Sequence, residues 1–344
     1  MKNKIKIKAA ILEKNFKPLK LKDIFFLDEL KKKQVLVKIQ YSGICGSQIG
    51  EINAIKGLDK FLPHLLGHEA TGKIIKINKY NFKFKVNDKV ILHWQKSSGI
   101  NSKLPQYFDS KGKKINAGWV TTFNNYAVIS ENRITKLPIN ISNKNGILFG
   151  CGITTAYGAL MKNIKKKNIN SKKILLTGFG MIGQIMLALM NALKILDITV
   201  IENNNNKLRM LKKNYKNINI LKNIKTRDEK KFDLAFETTG NKKLIEYSYN
   251  NIKNIGKLVL IGVPHHKQKV NINTLGINYG KKIIGSYGGN IRPDVDIPKI
   301  ANFIKNKNIN LNNFLCGPYN FLNINDVLKK LKKGKIIKKP IIKF

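Results

Sequence analysis

The chain has 344 residues, which is enough for two domains that each bury a core. Apolar residues make up 42% of it, and no apolar run reaches the roughly 18 residues that a membrane-spanning helix needs, so we predict no membrane partner. The formal net charge is +45, but only four of the 65 basic residues are arginine and the lysines are spread through every segment. Because dedicated nucleic-acid surfaces concentrate arginine and aromatic residues, we interpret the charge as a solvated surface. No specific nucleic-acid partner is predicted, and a non-catalytic nucleic-acid-binding protein is kept as the less favoured alternative.

The first eight residues alternate lysine with isoleucine and contain no continuous apolar stretch of the signal-peptide kind. They predict a β-strand at the start of a cytoplasmic protein. Short strands follow over 34–39, 72–77 and 88–92, separated by Gly, Asn and Pro, and this spacing is typical of a mostly β domain.

From residue 151 the pattern changes to apolar strands that alternate with longer helical stretches. Strands are predicted over 173–176, 198–201, 232–236 and 258–261, with an apolar helix that runs to Leu193 after the first of them. This alternation predicts an α/β domain with a doubly wound parallel sheet.

Cysteine and histidine are rare here, with three and five copies, yet Cys45, His68 and Cys151 each stand in a glycine-rich motif. Two thiolates and one imidazole with an open fourth position are the ligands of a catalytic zinc. Each residue alone is more simply explained by core packing, but the three together favour a metal site. Cys316 then has no free partner for a disulfide, which fits a reducing compartment.

The motif Gly178-x-Gly180-x-x-Gly183 follows a predicted strand and begins a helix, which is the context of a dinucleotide-binding turn. Glu202 ends the next strand, where a carboxylate hydrogen-bonds the adenosine ribose hydroxyls and repels a 2′-phosphate. We therefore predict NAD rather than NADP, although Lys207 places a positive charge nearby.

These motifs, in this order, make the chain similar to the zinc-containing medium-chain alcohol dehydrogenase family along nearly its whole length. Alcohol dehydrogenase is itself the standard example of the Cys, Cys, His ligand set. The resemblance implies a GroES-like catalytic domain over 1–150, rejoined by about 291–344, and a Rossmann domain over 151–290. It further implies a zinc-dependent alcohol or polyol dehydrogenase that transfers hydride between an alcohol and NAD, with a homodimer or homotetramer as the expected assembly. An NADPH-dependent carbonyl reductase of the same family is the alternative.

The resemblance also assigns roles to single residues. Ser47 takes the alcohol proton, and Glu69 lies beside the metal and tunes it. The remaining assignments are nicotinamide contacts for Thr155 and Ile182, a pyrophosphate contact for Lys338, and substrate-pocket positions for Trp94, Val263 and Tyr287. Two positions depart from the family: Gly50 stands where many relatives have the relay histidine, and Gln48 where they usually have an aspartate that orients the zinc-bound histidine.

Residues 95–118 contain no cysteine, whereas many relatives carry four there for a second, structural zinc. A closed zinc site needs four protein ligands, so we predict one catalytic zinc per chain and no structural zinc. The substrate prediction favours polyols or otherwise functionalised alcohols, because polar residues are expected at the pocket (His93, Tyr287 and Asn290).

Overall fold

The computed structural model describes residues 3–80, 83–164, 169–224 and 231–344. They form two compact units, one of Met1–Thr154 with Arg292–Phe344 and one of Thr155–Ile291. The sequence analysis placed these limits at residues 150 and 290. Among the described residues, no helix has the length and apolar character required to cross a bilayer.

Eighteen strands occur in the described part of the chain. They are Lys4–Leu12 (β1), Lys20–Leu27 (β2), Gln34–Gly43 (β3), His64–Leu65 (β4), Ala70–Ile77 (β5), Lys89–Leu92 (β6), Tyr107–Phe108 (β7), Lys114–Ile115 (β8), Tyr126–Ser130 (β9), Ile134–Lys136 (β10), Lys173–Thr177 (β11), Asp197–Ile201 (β12), Asn219–Leu221 (β13), Phe232–Glu237 (β14), Ile252–Leu260 (β15), Lys282–Gly285 (β16), Leu315–Asn320 (β17) and Lys339–Lys343 (β18).

The α-helices of the same residues are shorter in total length than the strands, and 3₁₀ turns adjoin some of them. They are Gly46–Ile52 (α1), Asn143–Gly146 (α2), Gly152–Met161 (α3), Met181–Ala192 (α4), Asn205–Asn214 (α5), Lys242–Asn251 (α6), Leu275–Asn278 (α7), Pro293–Asn306 (α8) and Ile324–Lys332 (α9). All the strands predicted above are confirmed, and the helix predicted to end at Leu193 is α4. The strand predicted over 258–261 is longer, because β15 begins at Ile252.

The first unit contains two sheets. One has the order β4-β1-β2-β7-β8 and the other the order β10-β6-β5-β3-β18-β17, with β9 also paired to β3. Alternation of lysine with apolar residues in β1 turns one face of the strand into the core, where Ile7, Ala9 and Ile11 are buried. Strand β18 pairs antiparallel with β3, so Ile341 lies opposite Gly43. This register brings the end of the chain beside the segment that carries Cys45.

The second unit contains a parallel sheet of order β13-β12-β11-β14-β15-β16. Its central strand β11 has neighbours on both sides that come later in the chain, which is the strand order of a doubly wound fold. Apolar residues of β11, β14 and β15 (Leu175, Ala235 and Leu258) pack in one buried cluster with residues of α6. Nucleotides bind at the carboxyl ends of such strands, so the fold places the Gly178 turn where a cofactor is expected.

Candidate metal centre and cofactor site

The three predicted metal ligands meet in the first unit although they come from distant parts of the chain. Cys45 is the N-cap of α1, His68 lies between β4 and β5, and Cys151 follows the 3₁₀ turn Ile147–Gly150. One ligand atom from each residue lies within 4.8 Å of the others, and the two sulphur atoms are 4.0 Å apart. The donors therefore already stand close enough to share one metal ion.

Gly67 allows His68 to reach this position. Its φ is +86°, in the left-handed region, and a Cβ atom there would lie 2.3 Å from Thr122 Oγ1 and 2.8 Å from the ring of Phe123. Both the conformation and the close approach exclude any side chain. The position of His68 as a ligand thus requires a glycine at residue 67.

The contact between the two cysteine sulphurs, in which either can be the donor, shifts the pKa values of both thiols. It lowers the pKa of Cys45 although burial opposes this, and Lys339 and His68 lower it further. The same contact raises the pKa of Cys151. A thiolate is the form of cysteine that binds metals, and the lowered pKa of Cys45 favours that form.

His68 directs one nitrogen into the cluster and the other away from it. Its Nδ1 lies 2.7 Å from Gln48 Nε2, while its Nε2 is buried and has no hydrogen-bond partner. A buried polar atom without a partner is costly, and a metal ion between Nε2 and the two sulphurs would satisfy it. The donor set and the unpartnered nitrogen both fit zinc, the metal predicted from the sequence.

Glu69 lies directly behind the ligands and forms a buried ion pair. It is fully buried, and its Oε1 accepts a hydrogen bond of 2.5 Å from Lys339, which is 3% exposed. Burial raises the pKa of Glu69, and Lys339 opposes that rise. Against the effect of its own burial, the pKa of Lys339 is raised by Glu69 and then by Cys45 and Cys151. Lys339 is therefore a fixed positive charge beside the thiolates.

The role of Lys339 beside Glu69 was not predicted from the sequence; its neighbour Lys338, the predicted pyrophosphate contact, is half-buried, and that role stays a prediction. Two signals could have found Lys339. A carboxylate next to a metal ligand needs a cation if it is buried, and Lys339 directly precedes the apolar run Pro340-Ile341-Ile342 of the C-terminal strand.

In the second unit, the Gly178 turn connects β11 to α4, with Gly180 as the N-cap. A Cβ atom on Gly183 would lie 2.1 Å from the carbonyl oxygen of Gly178, so the first turn of α4 packs directly on the loop. The free N–H groups at this helix start are suited to bind a pyrophosphate.

Glu202 follows β12 and lies next to this turn. Its Oε2 accepts hydrogen bonds from Phe179 N–H at 2.9 Å and Lys207 Nζ at 3.1 Å, and its Oε1 accepts from Asn203 and Asn204 N–H, each at 2.9 Å. Although burial acts in the opposite direction, these donors lower the pKa of Glu202. The carboxylate is ionised at the cofactor end of the sheet, and Lys207 neutralises part of its charge.

Two protein-family models match the chain. Residues 31–139 match the model of the alcohol dehydrogenase GroES-like domain, and residues 181–306 match that of the zinc-binding dehydrogenase. The chain belongs to the zinc-dependent medium-chain alcohol dehydrogenase family. The family and fold class predicted from the sequence are therefore confirmed.

Relatives match over nearly the full length of the chain. Alcohol dehydrogenase-like 1 of Arabidopsis thaliana is 26% identical, over 97% of this chain and 95% of the relative. Alcohol dehydrogenase 6 of Peromyscus maniculatus is 25% identical over 97% of both chains. The crystal structure of benzyl alcohol dehydrogenase from Acinetobacter calcoaceticus has the same fold, with a TM-score of 0.84, 21% identity and 99% of each chain covered.

The remaining residues expected for a member of this family are divided between the two units. Ser47 is half-buried in α1 and its Oγ lies 3.3 Å from Gln48 Nε2, while Trp94 is half-buried in the same unit. In the second unit, Thr155 is 7% exposed and Ile182 is half-buried, whereas Val263 and Tyr287 are 56% and 73% exposed. The roles of these residues stay predictions.

Glu237 is a second buried carboxylate that was not predicted from the sequence. It is fully buried at the end of β14, and its Oε1 accepts from Thr239 N–H at 2.7 Å and Gly240 N–H at 3.1 Å. Burial raises its pKa, and the Thr239 hydroxyl and these N–H groups oppose the rise. The signal was a glutamate that ends a buried strand and is followed by Thr-Thr-Gly, because such a carboxylate can cap the turn that follows.

Proposed function

We propose that this protein oxidises alcohols, or reduces the corresponding aldehydes and ketones, with one catalytic zinc per chain and with NAD as the favoured cofactor. The observation that carries the proposal is the convergence of Cys45, His68 and Cys151, with a lowered pKa at Cys45 and an unpartnered nitrogen on His68. When bound, zinc supplies a Lewis acid that stabilises the negative charge of an alcohol oxygen.

The residues of the chain divide the remaining tasks. Cys45, Cys151 and His68 hold the metal, and the Glu69–Lys339 pair fixes the electrostatic potential behind it. Ser47 is the proposed acceptor of the alcohol proton. The structure has no histidine at position 50 to carry the proton further, and burial raises the pKa of Glu51 in the same helix, so Glu51 is the proposed next carrier.

Cofactor binding is assigned to the Gly178 turn and Glu202. The helix start binds the pyrophosphate, and the ionised Glu202 orients the adenosine ribose through its hydroxyls. A 2′-phosphate would meet this carboxylate, which disfavours NADP. The Lys207–Glu202 ion pair of 3.1 Å is the observation that favours the alternative, an NADPH-dependent carbonyl reductase, because Lys207 offers a positive charge to the phosphate.

A panel of simple alcohols, polyols and their carbonyl counterparts, each tested with NAD(H) and NADP(H), tests the proposal directly through cofactor absorbance. We expect turnover of functionalised alcohols with NAD. Absence of turnover with every substrate in the zinc-loaded protein would contradict the proposal, and a preference for NADPH would select the alternative.

Glu202→Ala tests the cofactor assignment. Loss of the carboxylate removes the repulsion of a 2′-phosphate, so the ratio of kcat/KM for NADP over NAD should rise at least about tenfold, or roughly 1.4 kcal/mol. Lys207→Met is the matched variant at the other end of the ion pair, and we expect it to leave NAD preferred. If Glu202→Ala does not change the ratio, Glu202 does not face the ribose.

The assembly as a homodimer or homotetramer, the cytoplasmic location and the lack of a specific nucleic-acid partner stay predictions. A filter-binding assay over a salt series checks the last of them. Binding by a polycation of this kind should weaken steeply as salt rises, and nanomolar, sequence-selective binding at physiological salt would contradict it.

A further inference from the structure

The side chain of Gln48 lies between the backbone of one metal ligand and the ring of another. It is fully buried in α1. Its Oε1 accepts a hydrogen bond of 2.8 Å from Cys45 N–H, and its Nε2 lies 2.7 Å from His68 Nδ1 and 3.3 Å from Ser47 Oγ. One amide thus connects Cys45 to His68.

The orientation of this amide follows from chemistry. A backbone N–H can only donate, so the Gln48 atom that faces Cys45 N–H must be the oxygen. The other atom is then the NH₂ group, which can only donate to His68 Nδ1. In this arrangement Nδ1 is an acceptor, and the neutral ring carries its hydrogen on Nε2.

The metal requires the opposite tautomer. His68 Nε2 is the buried, unpartnered nitrogen that faces the sulphurs, so a zinc ion would bind there and the ring hydrogen would lie on Nδ1. Two donors, the Nδ1–H and the amide NH₂, would then face each other across 2.7 Å. If the amide turned over to accept from His68, its NH₂ group would face Cys45 N–H instead.

We propose that Gln48 is a positioning residue that weakens zinc binding by this protein, because Cys45 N–H and the zinc-bound form of His68 compete for its single oxygen. The inference rests on the proposed function, in which the triad binds zinc. A glutamate of the same shape has two acceptor oxygens and can serve both donors at once. Partners of metal-bound histidines of this kind change metal affinity by about 10- to 100-fold when substituted.

Zinc affinity of the Gln48→Glu variant, measured by competition with a chelating dye, tests the proposal. We expect its Kd for zinc to be at least about tenfold lower than that of the unmutated protein. Gln40→Glu is the charge-matched control: it adds the same charge in β3 at a side chain whose Oε1 makes no hydrogen bond, and its Kd should not change. An unchanged or higher Kd for Gln48→Glu, or an equal gain in Gln40→Glu, would overturn the proposal.

A second measurement reports the hydrogen position on the His68 ring directly, and its first part needs only the unmutated protein. In metal-free protein with ¹⁵N-labelled histidine, His68 Nδ1 should show the chemical shift of an unprotonated acceptor, and in Gln48→Glu it should show that of a protonated nitrogen. A protonated Nδ1 in the unmutated, metal-free protein would overturn the proposal. If neither protein binds zinc, the proposed function itself fails, whereas equal binding by both overturns only the role of Gln48.

Discussion

The metal-binding triad and the segment 95–118 belong to the same unit, but they differ in how their side chains are bonded. In the triad, the sulphur atoms of Cys45 and Cys151 contact each other. The Nε2 atom of His68 is buried and has no hydrogen-bond partner. The segment 95–118, which contains no cysteine, has hydrogen bonds to its neighbours. The first region has three metal-binding side chains close together, and the second is characterised by its protein contacts.

Hydrogen bonds and aromatic contacts connect the segment 95–118 to the rest of its unit. Tyr107, at the start of the β7–β8 hairpin, is fully buried, and its hydroxyl accepts from Val128 N–H at 2.9 Å. Trp119 Nε1 donates to Ser102 O at 2.9 Å, and Arg133 lies over the Trp119 ring at 5.3 Å from its centre. Directional bonds and buried aromatic area can fix a lobe of this size without an ion.

The largest expected effect is at the triad. Cys45→Ser and Cys151→Ser should each lower kcat/KM by about a thousandfold or more, which corresponds to roughly 4 kcal/mol, because the oxygen of serine is a poor zinc ligand. Binding of NADH, followed by its fluorescence, should persist, since the Gly178 turn belongs to the other unit. Turnover retained by either variant would remove the triad from the mechanism.

Tyr107→Phe probes the other region. The change leaves Val128 N–H buried without an acceptor, so the free energy of unfolding should fall by about 1–3 kcal/mol, while zinc content stays the same. Tyr126→Phe is the control: Tyr126 packs against the same core cluster as Tyr107, but no hydrogen bond of its hydroxyl is seen among the described residues, and the change should have little effect. Loss of zinc from Tyr107→Phe would show that the two regions are not independent.

His93 provides a pH-dependent link to the segment. Its Nδ1 donates to Gln95 O at 2.7 Å and its Nε2 accepts from Thr135 Oγ1 at 3.0 Å, and burial lowers the pKa of His93 to about 4. The unfolded chain binds the proton more readily than the folded chain, so the stability due to neutral His93 is present above about pH 6.5 and is lost as the pH falls toward 4.

When the pH falls from 7.5 to 5.5, protonation of His93 in the unfolded chain should lower the free energy of unfolding by roughly 1 kcal/mol. Urea unfolding at both pH values measures the loss, and the same measurement on His93→Gln shows how much of it belongs to this residue. If the pH dependence is the same in both proteins, His93 is not the source.

The smallest expected effect is that of zinc removal on the segment 95–118. Chelation should abolish turnover, yet hydrogen exchange of the Trp119 indole N–H should not change, because its bond to Ser102 O involves no metal ligand. A marked loss of protection there would indicate a second metal that stabilises the segment, against the prediction of one zinc per chain.

The sequence analysis identified the residues whose chemistry is tied to a local motif. Cys45, His68 and Cys151 stand beside glycines, and Gly67 shows why, since no side chain fits there. The Gly178 turn was recognisable for the same reason, as a strand, a glycine loop and a helix must follow one another in the chain. Such signals lie within a few residues and need no knowledge of the fold.

The partners of these residues depended on the tertiary structure. Lys339 reaches Glu69 across 270 positions only because β18 pairs with β3 in one particular register, and a shift of one residue would turn its side chain to the other face. The sequence predicted a pyrophosphate contact for the neighbouring Lys338, which stays a prediction, and gave no sign of the pairing of Lys339 with Glu69.

Gln48 lies between these two groups, the residues recognisable in the sequence and the partners that depend on the fold. The sequence showed an amide where relatives have a carboxylate, but only the structure showed that its oxygen is already bonded to Cys45 N–H. The sequence by itself determined which atoms can bind a metal and a dinucleotide, because donor chemistry belongs to the residue type. The tertiary structure decided which charges and hydrogen bonds surround those atoms, because burial and strand register bring together groups that are far apart in the chain.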